Sequence, residues 1–298
     1  MEAVMCKKPR DERKEIFEDT RQIYGMDRRL MDSVSFSKYN QRVIAEEVEV
    51  TAPEDRYDAL AKVLVSQKRS LEAAAGYPDM KVCVLNFASA SNPGGGVAKG
   101  SNAQEESICR CSTLYPCISD ESAVNLFHNA HREALKSGRM NALYNNDCIY
   151  TPKVTVFRDD NTEKVLEEAS WYEIDVVSCA APNLRNIPGN AMNPDSGSKK
   201  ADIQPADLLA LHKKRISRVL DIAVANGAEV MILGAFGCGA FRNPPDIVAE
   251  AMSGVLGDYL RCFKVIEFAV YCQPIETRNY DVFKRVLSPV CGENCKDM

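Results

Sequence analysis

The sequence predicts an α/β fold, a three-layer α/β/α sandwich built on a mixed sheet. Short apolar runs of strand length, such as 82–87, 172–180 and 229–233, alternate along the chain with segments of helical spacing such as 205–225. This alternation is typical of a sheet that is covered by helices on both faces. The chain has 298 residues, of which 45% are hydrophobic and 27% charged, so it can bury a sizeable core as an ordinary globular protein does.

The N-terminal part predicts a helical extension followed by the first elements of a main domain. Residues 10–24 have the apolar spacing of an amphipathic helix. Residues 46–51 alternate as a half-exposed strand, and residues 57–67 have the spacing of a helix. The predicted division of the chain is an N-terminal helical extension at 1–45, a main domain at 46–288 and a polar tail at 289–298.

A run of three glycines, at 94–96, follows the predicted strand 82–87 and precedes a helix predicted at about 102–115. Adjacent glycines lose much backbone entropy on folding, so they are expected where the backbone approaches a ligand closely. The N-terminus of the helix supplies free amide donors and the positive end of the helix dipole. Together with Glu105 and Glu106, this arrangement predicts a polar, anionic substrate and acid/base chemistry.

The middle of the chain offers weaker signals. The helix predicted at 121–137 carries His128 and His131, but no third metal ligand is apparent, so a solvated or capped pair is favoured. Pro152 interrupts the strand-like run 148–157, which favours an edge strand. Residues 186–204 have no period and predict either a mobile flap over a site or a surface insertion, with the insertion favoured.

A second glycine-containing loop, 234–243, follows the predicted strand 229–233 and feeds another helix. Asn243 suits the N-cap of that helix and Pro244 its first turn. A strand at 265–270 and a helix at 277–287 are predicted to complete the domain.

Charge and cysteine usage exclude several function classes. The formal net charge of −5 argues against nucleic-acid binding, sequence-specific or general. No run approaches the ~18 apolar residues of a membrane helix and no signal peptide is recognisable, so a soluble, intracellular protein of the cytoplasm is expected. The 12 cysteines lie mostly in apolar segments and predict reduced, buried thiols.

Neither a metal nor a cofactor is predicted. The cluster Cys109, Cys111 and Cys117 lacks the spacing of a zinc finger or ribbon. The pair Cys291 and Cys295 supplies only two ligands, which do not make a structural site without partners elsewhere. Both glycine loops lack a Walker lysine, and no acidic residue follows at the spacing of a dinucleotide-binding fold, which counts against nucleotide hydrolysis and NAD-dependent redox chemistry.

The pattern Gly-Gly-Gly, seven residues, Gln-Glu-Glu, within NFASASNPGGG and AQEES, resembles the signature of microbial-type poly(ADP-ribose) glycohydrolases. The resemblance covers about residues 40–288 and includes the FRDD and AAPN segments. It implies a macrodomain-like core with an N-terminal helical extension. It also implies a hydrolase that cleaves the ribose–ribose O-glycosidic bonds of poly(ADP-ribose), or acts on ADP-ribosylated protein, and releases ADP-ribose.

The resemblance also implies roles for individual residues. Glu106 is expected to be the general acid/base, with Glu105 and Asn92 binding ribose hydroxyls. The loop 234–241 is expected to bind the diphosphate of ADP-ribose, with Phe241 packing on the distal ribose. The expected catalytic residues are Glu106 and Glu105, and the expected substrate-binding residues are Asn92, Gly94, Gly95, Gly96, Gln104, Gly234, Phe236, Gly237, Cys238, Gly239, Ala240 and Phe241.

The residues by themselves leave alternatives open. Asn102 and Glu105 have the spacing of an N-cap and its reciprocal partner, which explains Glu105 structurally and singles out Glu106 for the chemistry. The second loop is equally a tight turn with Phe236 and Phe241 in the core. The alternative functions are removal of mono-ADP-ribose from protein and non-catalytic binding of ADP-ribose by a macrodomain.

Overall fold

The computed structural model of the chain describes residues 8–51 and 55–291. Within these residues, seven strands form one mixed sheet in the order β1-β4-β5-β3-β6-β7-β2. The strands are β1 (Arg42–Ile44), β2 (Lys62–Ser66), β3 (Val82–Phe87), β4 (Cys148–Val156), β5 (Tyr172–Cys179), β6 (Val230–Leu233) and β7 (Val265–Ala269). The helices are α1 (Arg10–Met26), α2 (Arg28–Asn40), α3 (Ser70–Ala74), α4 (Gln104–Cys111), α5 (Leu114–Ile118), α6 (Glu121–Ala123), α7 (Ala130–Ser137), α8 (Pro205–Ala225), α9 (Pro245–Leu256) and α10 (Arg278–Cys291).

The predicted three-layer α/β/α architecture is confirmed, because alternate side chains of β3 pack against helices on opposite faces of the sheet. Val82 and Val84 contact one apolar cluster, to which α1, α3, α4 and α5 contribute, whereas Cys83 and Leu85 contact a second cluster under α8, α9 and α10. A strand buried on both faces in this way reads as a continuous apolar run. The central strand therefore lies between two layers of helices.

The direction of the strands decides where a ligand can bind. β5, β3, β6, β7 and β2 are parallel. At one end of the sheet, β4 runs antiparallel to β5, and β1 runs antiparallel to β4. The carboxyl ends of parallel strands lie at the same edge of the sheet, which is where α/β folds bind ligands. The loops that follow β3, β5 and β6 therefore meet.

Two predictions near the start of the main domain are wrong. Residues 46–51 form no strand, because Glu46 turns the chain: its N–H donates to Asp147 Oδ1 (2.7 Å) and its carboxylate accepts from the N–H of Asn146 (3.2 Å). The strand is β1 instead, which precedes that turn and pairs with β4. The predicted helix 57–67 contains β2, which pairs with β7; short apolar runs fit helix and strand equally well.

Smaller differences concern caps and edges. Pro152 does not mark an edge strand, because β4 lies between β1 and β5 and a register shift between Thr151 and Val154 accommodates the proline. α10 continues to Cys291, beyond the predicted end of the main domain, and Cys295 lies outside the described residues. α2 follows α1 directly and begins where the Asp27 side chain accepts from Leu30 N–H (3.1 Å).

No helix in the described part of the chain is long and apolar enough to cross a membrane. The predicted burial is confirmed for the cysteines at positions 83, 109, 111, 117, 148 and 179, while their reduced state stays a prediction.

Candidate active site

The two glycine-containing loops lie side by side because they follow the adjacent strands β3 and β6. Phe87, at the end of β3, packs on Phe236 of the second loop with ring centroids 5.5 Å apart. Ala90 of the first loop and Phe241 of the second share a small apolar cluster with Tyr144. The structure thus brings the two predicted halves of the site together.

Glu106 lies in the first turn of α4 and is 6% exposed. Its Oε1 accepts the N–H of Gly96 (2.9 Å), and its Oε2 accepts the N–H of Ala103 (2.8 Å). The carboxylate therefore joins the glycine loop to the start of the helix.

The predicted reciprocal pair of Asn102 and Glu105 is wrong. α4 begins one residue later than that pair requires, so the carboxylate that caps the helix is that of Glu106. The side chain of Asn102 instead accepts from Nη2 of the buried Arg110 (2.7 Å). Helix capping therefore accounts for one of the two hydrogen bonds of Glu106, and it does not account for the presence of Glu105.

Glu105 is 3% exposed. Its Oε2 accepts the N–H of Ser89 (2.8 Å), while its Oε1 is buried without a hydrogen-bond partner among the described residues. Burial, followed by the neighbouring charge of Glu106, raises the pKa of Glu105 well above the usual carboxyl value. A carboxyl group in this state favours its protonated form.

Gly95 lies against both carboxylates and adopts a left-handed backbone conformation, with φ of 58°. A Cβ at this position would lie 2.6 Å from Glu106 Oε1 and 3.1 Å from Glu105 Oε2. No side chain fits there, so glycine is required for the loop to cover the two glutamates.

Gln104 uses its side chain within the protein. Its Oε1 accepts the N–H of Phe87 (2.8 Å), and its Nε2 donates to Leu85 O (2.7 Å) and to Ser70 Oγ (3.0 Å). These bonds fix the start of α4 to the end of β3. A direct contact of Gln104 with substrate stays a prediction.

Asn92 lies at the other end of the glycine loop. Its amide Nδ2 donates to Gly95 O and to Asn193 Oδ1, the latter at 3.2 Å. Asn193 belongs to the aperiodic segment 186–204, which therefore lies against the first glycine loop rather than apart from the site.

The second loop presents unpaired backbone donors. Among residues 8–51 and 55–291, no protein acceptor binds the N–H groups of Gly237, Gly239, Ala240 or Phe241. The N–H of Cys238, by contrast, donates back to Ala235 O (3.0 Å). A row of free amides of this kind suits an anionic group such as a diphosphate.

The two phenylalanines of this loop differ in their surroundings. Phe236 is 0% exposed and lies between Phe87 and His212, whose ring centroid is 6.2 Å away. Phe241 is half-buried and packs on Tyr144, with centroids 6.3 Å apart. The alternative in which both phenylalanines belong to the core is therefore correct for Phe236, whereas Phe241 is accessible from the surface of the loop.

Asn243 does not cap α9 as predicted, because the helix begins at Pro245. Its side chain is buried and donates to Pro182 O (2.7 Å) in the loop after β5. Its Oδ1 lies 2.9 Å from Nε2 of His212. Burial lowers the pKa of His212 to about 4, so the ring is neutral at physiological pH.

The Asn243–His212 contact was not predicted from the sequence, nor was the role of Arg215, which is fully buried and donates to Ala180 O (2.8 Å). Helical spacing was the available signal: His212 lies four residues from both Leu208 and Ile216, on the apolar side of α8.

His128 and His131 are buried rather than solvated. His128 Nδ1 lies 3.2 Å from Ala90 O, and His131 Nε2 lies 2.6 Å from Asn145 Oδ1. Within the described residues, no group of three His, Cys, Asp or Glu side chains is arranged to hold a metal ion.

Comparison with known proteins identifies the family. Residues 12–159 match the family model for the catalytic domain of microbial-type PARG. The crystal structure of poly(ADP-ribose) glycohydrolase from Thermomonospora curvata is 30% identical, with a TM-score of 0.77 over 93% of this chain and 99% of that chain. No curated protein sequence matched.

Two further structures resemble the chain and contain ligands. The Thermomonospora curvata enzyme bound to the inhibitor ADP-HPD is 28% identical, with a TM-score of 0.74 over 92% of this chain and 99% of that chain. The Deinococcus radiodurans enzyme in complex with ADP-ribose is 27% identical, with a TM-score of 0.69 over 87% of this chain and 98% of that chain. The chain therefore belongs to the microbial-type poly(ADP-ribose) glycohydrolase family.

Proposed function

We propose that the protein hydrolyses the ribose–ribose O-glycosidic bonds of poly(ADP-ribose) and releases ADP-ribose. The observation that carries the proposal is the pair of buried glutamates beneath Gly95, at the start of α4, in a chain of this family. Ordinary helix capping needs one carboxylate, whereas here a second one is buried beside it with an oxygen that no described residue binds.

Substrate binding involves both loops. The free amides of Gly237, Gly239, Ala240 and Phe241 hold the diphosphate, and the Phe241 ring packs on the distal ribose. Glu105 and Asn92 bind the hydroxyl groups of that ribose. The solved structures of relatives bound to ADP-ribose and to the inhibitor ADP-HPD support the proposal that the site binds ADP-ribose.

The cleavage step uses the carboxylate pair. Burial and the neighbouring charge of Glu106 raise the pKa of Glu105, which favours the protonated form of this carboxyl group. Glu106 protonates the departing glycosidic oxygen as the ribose acquires oxocarbenium character, and then takes a proton from the water that attacks the anomeric carbon. Burial excludes bulk water and strengthens these electrostatic interactions.

The test compares two glutamate-to-glutamine substitutions at helix starts. Glu106→Gln is expected to lower the release of ADP-ribose from purified polymer at least 100-fold while ADP-ribose still binds in calorimetry. The matched control is Glu72→Gln, because Glu72 likewise accepts the N–H of the residue three positions before it, Arg69 (3.1 Å), at the start of α3. If both variants retain full turnover, Glu106 is not the acid/base.

The same assay separates the remaining functions. Hydrolysis of mono-ADP-ribosylated protein but not of polymer would replace the proposed substrate, and binding of ADP-ribose without any hydrolysis would make the protein a reader. A location in the reducing cytoplasm is part of the proposal, supported by the buried thiols. Fluorescence microscopy of the tagged full-length chain tests it.

A further inference from the structure

The segment that follows the loop after β5 contains a closed loop, residues 189–197. The N–H of Gly189 donates to Gly197 O (2.8 Å), which joins the two ends. Inside the loop, Asn190 Oδ1 accepts the N–H groups of Met192 (2.7 Å) and Asn193 (3.1 Å). A short loop with joined ends and its own hydrogen bonds is typical of functional loops.

This loop contacts the first glycine loop at several points along its length. Ser196 Oγ lies 3.2 Å from Ser91 Oγ, and both side chains are buried. On the opposite side, Lys99 Nζ donates to Ala191 O (2.8 Å). The loop 189–197 therefore spans the segment that carries Asn92 and the three glycines.

Asn193 is the central contact of this interface. Its Oδ1 accepts from Asn92 Nδ2 (3.2 Å) and from Ser89 Oγ (3.5 Å). The backbone N–H of Ser89 binds Glu105, and Asn92 also donates to Gly95 O, so both partners of Asn193 touch the elements that hold the two glutamates.

The contact with Asn193 affects the orientation of the Asn92 side-chain amide. An amide NH₂ group has two donors, and here Gly95 O and Asn193 Oδ1 accept from it. The oxygen of the Asn92 amide is then left to accept from a hydroxyl group. Without Asn193, only the bond to Gly95 O opposes the rotation of the amide that would present NH₂ in place of the oxygen.

We propose that Asn193 is a positioning residue that fixes which end of the Asn92 amide faces the ribose of the substrate. The inference rests on the proposed function, in which Asn92 binds a ribose hydroxyl. It extends the site to the loop 189–197, to which no role has been assigned.

A double-mutant cycle tests the proposal with Asn193→Ala, Asn92→Ala and the double variant. Asn193→Ala is expected to weaken ADP-ribose binding and to lower kcat/KM for polymer about tenfold each, the effect of one ordinary hydrogen bond. In the Asn92→Ala background, the same substitution is expected to change both quantities less than about twofold, because Asn193 acts through Asn92.

Asn193→Asp is the conservative variant, since its carboxylate keeps an acceptor for the Asn92 amide. It is expected to restore kcat to within about threefold of the unmodified protein, with any added charge repulsion confined to KM. Ser196→Ala is the control for loop docking, because it removes the contact with Ser91 and leaves Asn193 in place.

Two results would overturn the proposal: an Asn193→Ala protein that binds and turns over normally, or an equal loss in the presence and absence of Asn92. Failure of the proposed function looks different, because the unmodified protein would then release no ADP-ribose from polymer, whether or not it binds ADP-ribose. Circular dichroism of each variant establishes that the losses do not come from unfolding.

Discussion

Gly95→Ala is the most direct test of the geometry around the two glutamates. Alanine at this position must adopt φ near 58°, and its Cβ would lie 2.6 Å from Glu106 Oε1. Ordinary contact begins near 3.4 Å, so the carboxylate or the loop has to move by roughly 1 Å. Either movement lengthens the hydrogen bond from Gly96 N–H to Glu106, which is now 2.9 Å.

The expected effects on stability and on catalysis can be separated. A left-handed alanine costs about 1–2 kcal/mol in the free energy of unfolding. Misplacing a catalytic group by about 1 Å costs on the order of 100-fold in rate. The variant should therefore remain folded at 25 °C and lose about 100-fold in ADP-ribose release, because domains of this kind have about 5–15 kcal/mol of stability.

Gly138→Ala is the matched control. Gly138 ends α7 with φ of 74°, and no heavy atom lies within 4 Å of a Cβ built there. Urea denaturation should show a loss of stability in both variants, and a larger loss in Gly95→Ala because only its Cβ meets the glutamates. Steady-state release of ADP-ribose should fall only for Gly95→Ala. Equal activity in the two variants would mean that contact between Gly95 and the glutamates does not position them for catalysis, and the interpretation of the site would fail.

Two further predictions concern the loop phenylalanines and the buried histidines. Phe236→Ala should lower the free energy of unfolding by about 3–5 kcal/mol, since Phe236 is fully buried, whereas Phe241→Ala should chiefly raise KM; the reverse pattern in urea denaturation and kinetics would exchange their roles. Burial lowers the pKa of His128 to about 3 and that of His212 to about 4, so the stability that each neutral ring contributes is complete above the unfolded pKa of about 6.5 and is lost as the pH falls. Between pH 7.5 and pH 5, each histidine should lower the free energy of unfolding by about 2 kcal/mol. The His128→Gln variant should lack the part of this loss that His128 causes. Urea denaturation curves of the variant with an unchanged pH dependence would contradict the assignment.

Much of the fold could be predicted because its central elements carry strong local signals. β3 begins and ends where the apolar run 82–87 does, and α8 matches the predicted 205–225. β2 could not be recognised, since only pairing with β7 decides that its short apolar run is a strand. The start of α4 differed from prediction by a single residue, and that shift was enough to exchange the capping roles of Glu105 and Glu106.

The candidate site divides in the same way. The sequence by itself determined the two glycine loops, the neighbouring glutamates and the family signature. Each of these is a short continuous stretch, so its residue types can be recognised without knowledge of tertiary contacts. Only the tertiary structure decided that the Gln104 side chain is hydrogen-bonded within the protein and that the Phe236 ring is buried. It also decided that Asn193, 101 residues from Asn92, meets the glycine loop. Such contacts depend on which strands are neighbours in the sheet, and sheet neighbours are set by packing over long separations that no local pattern encodes.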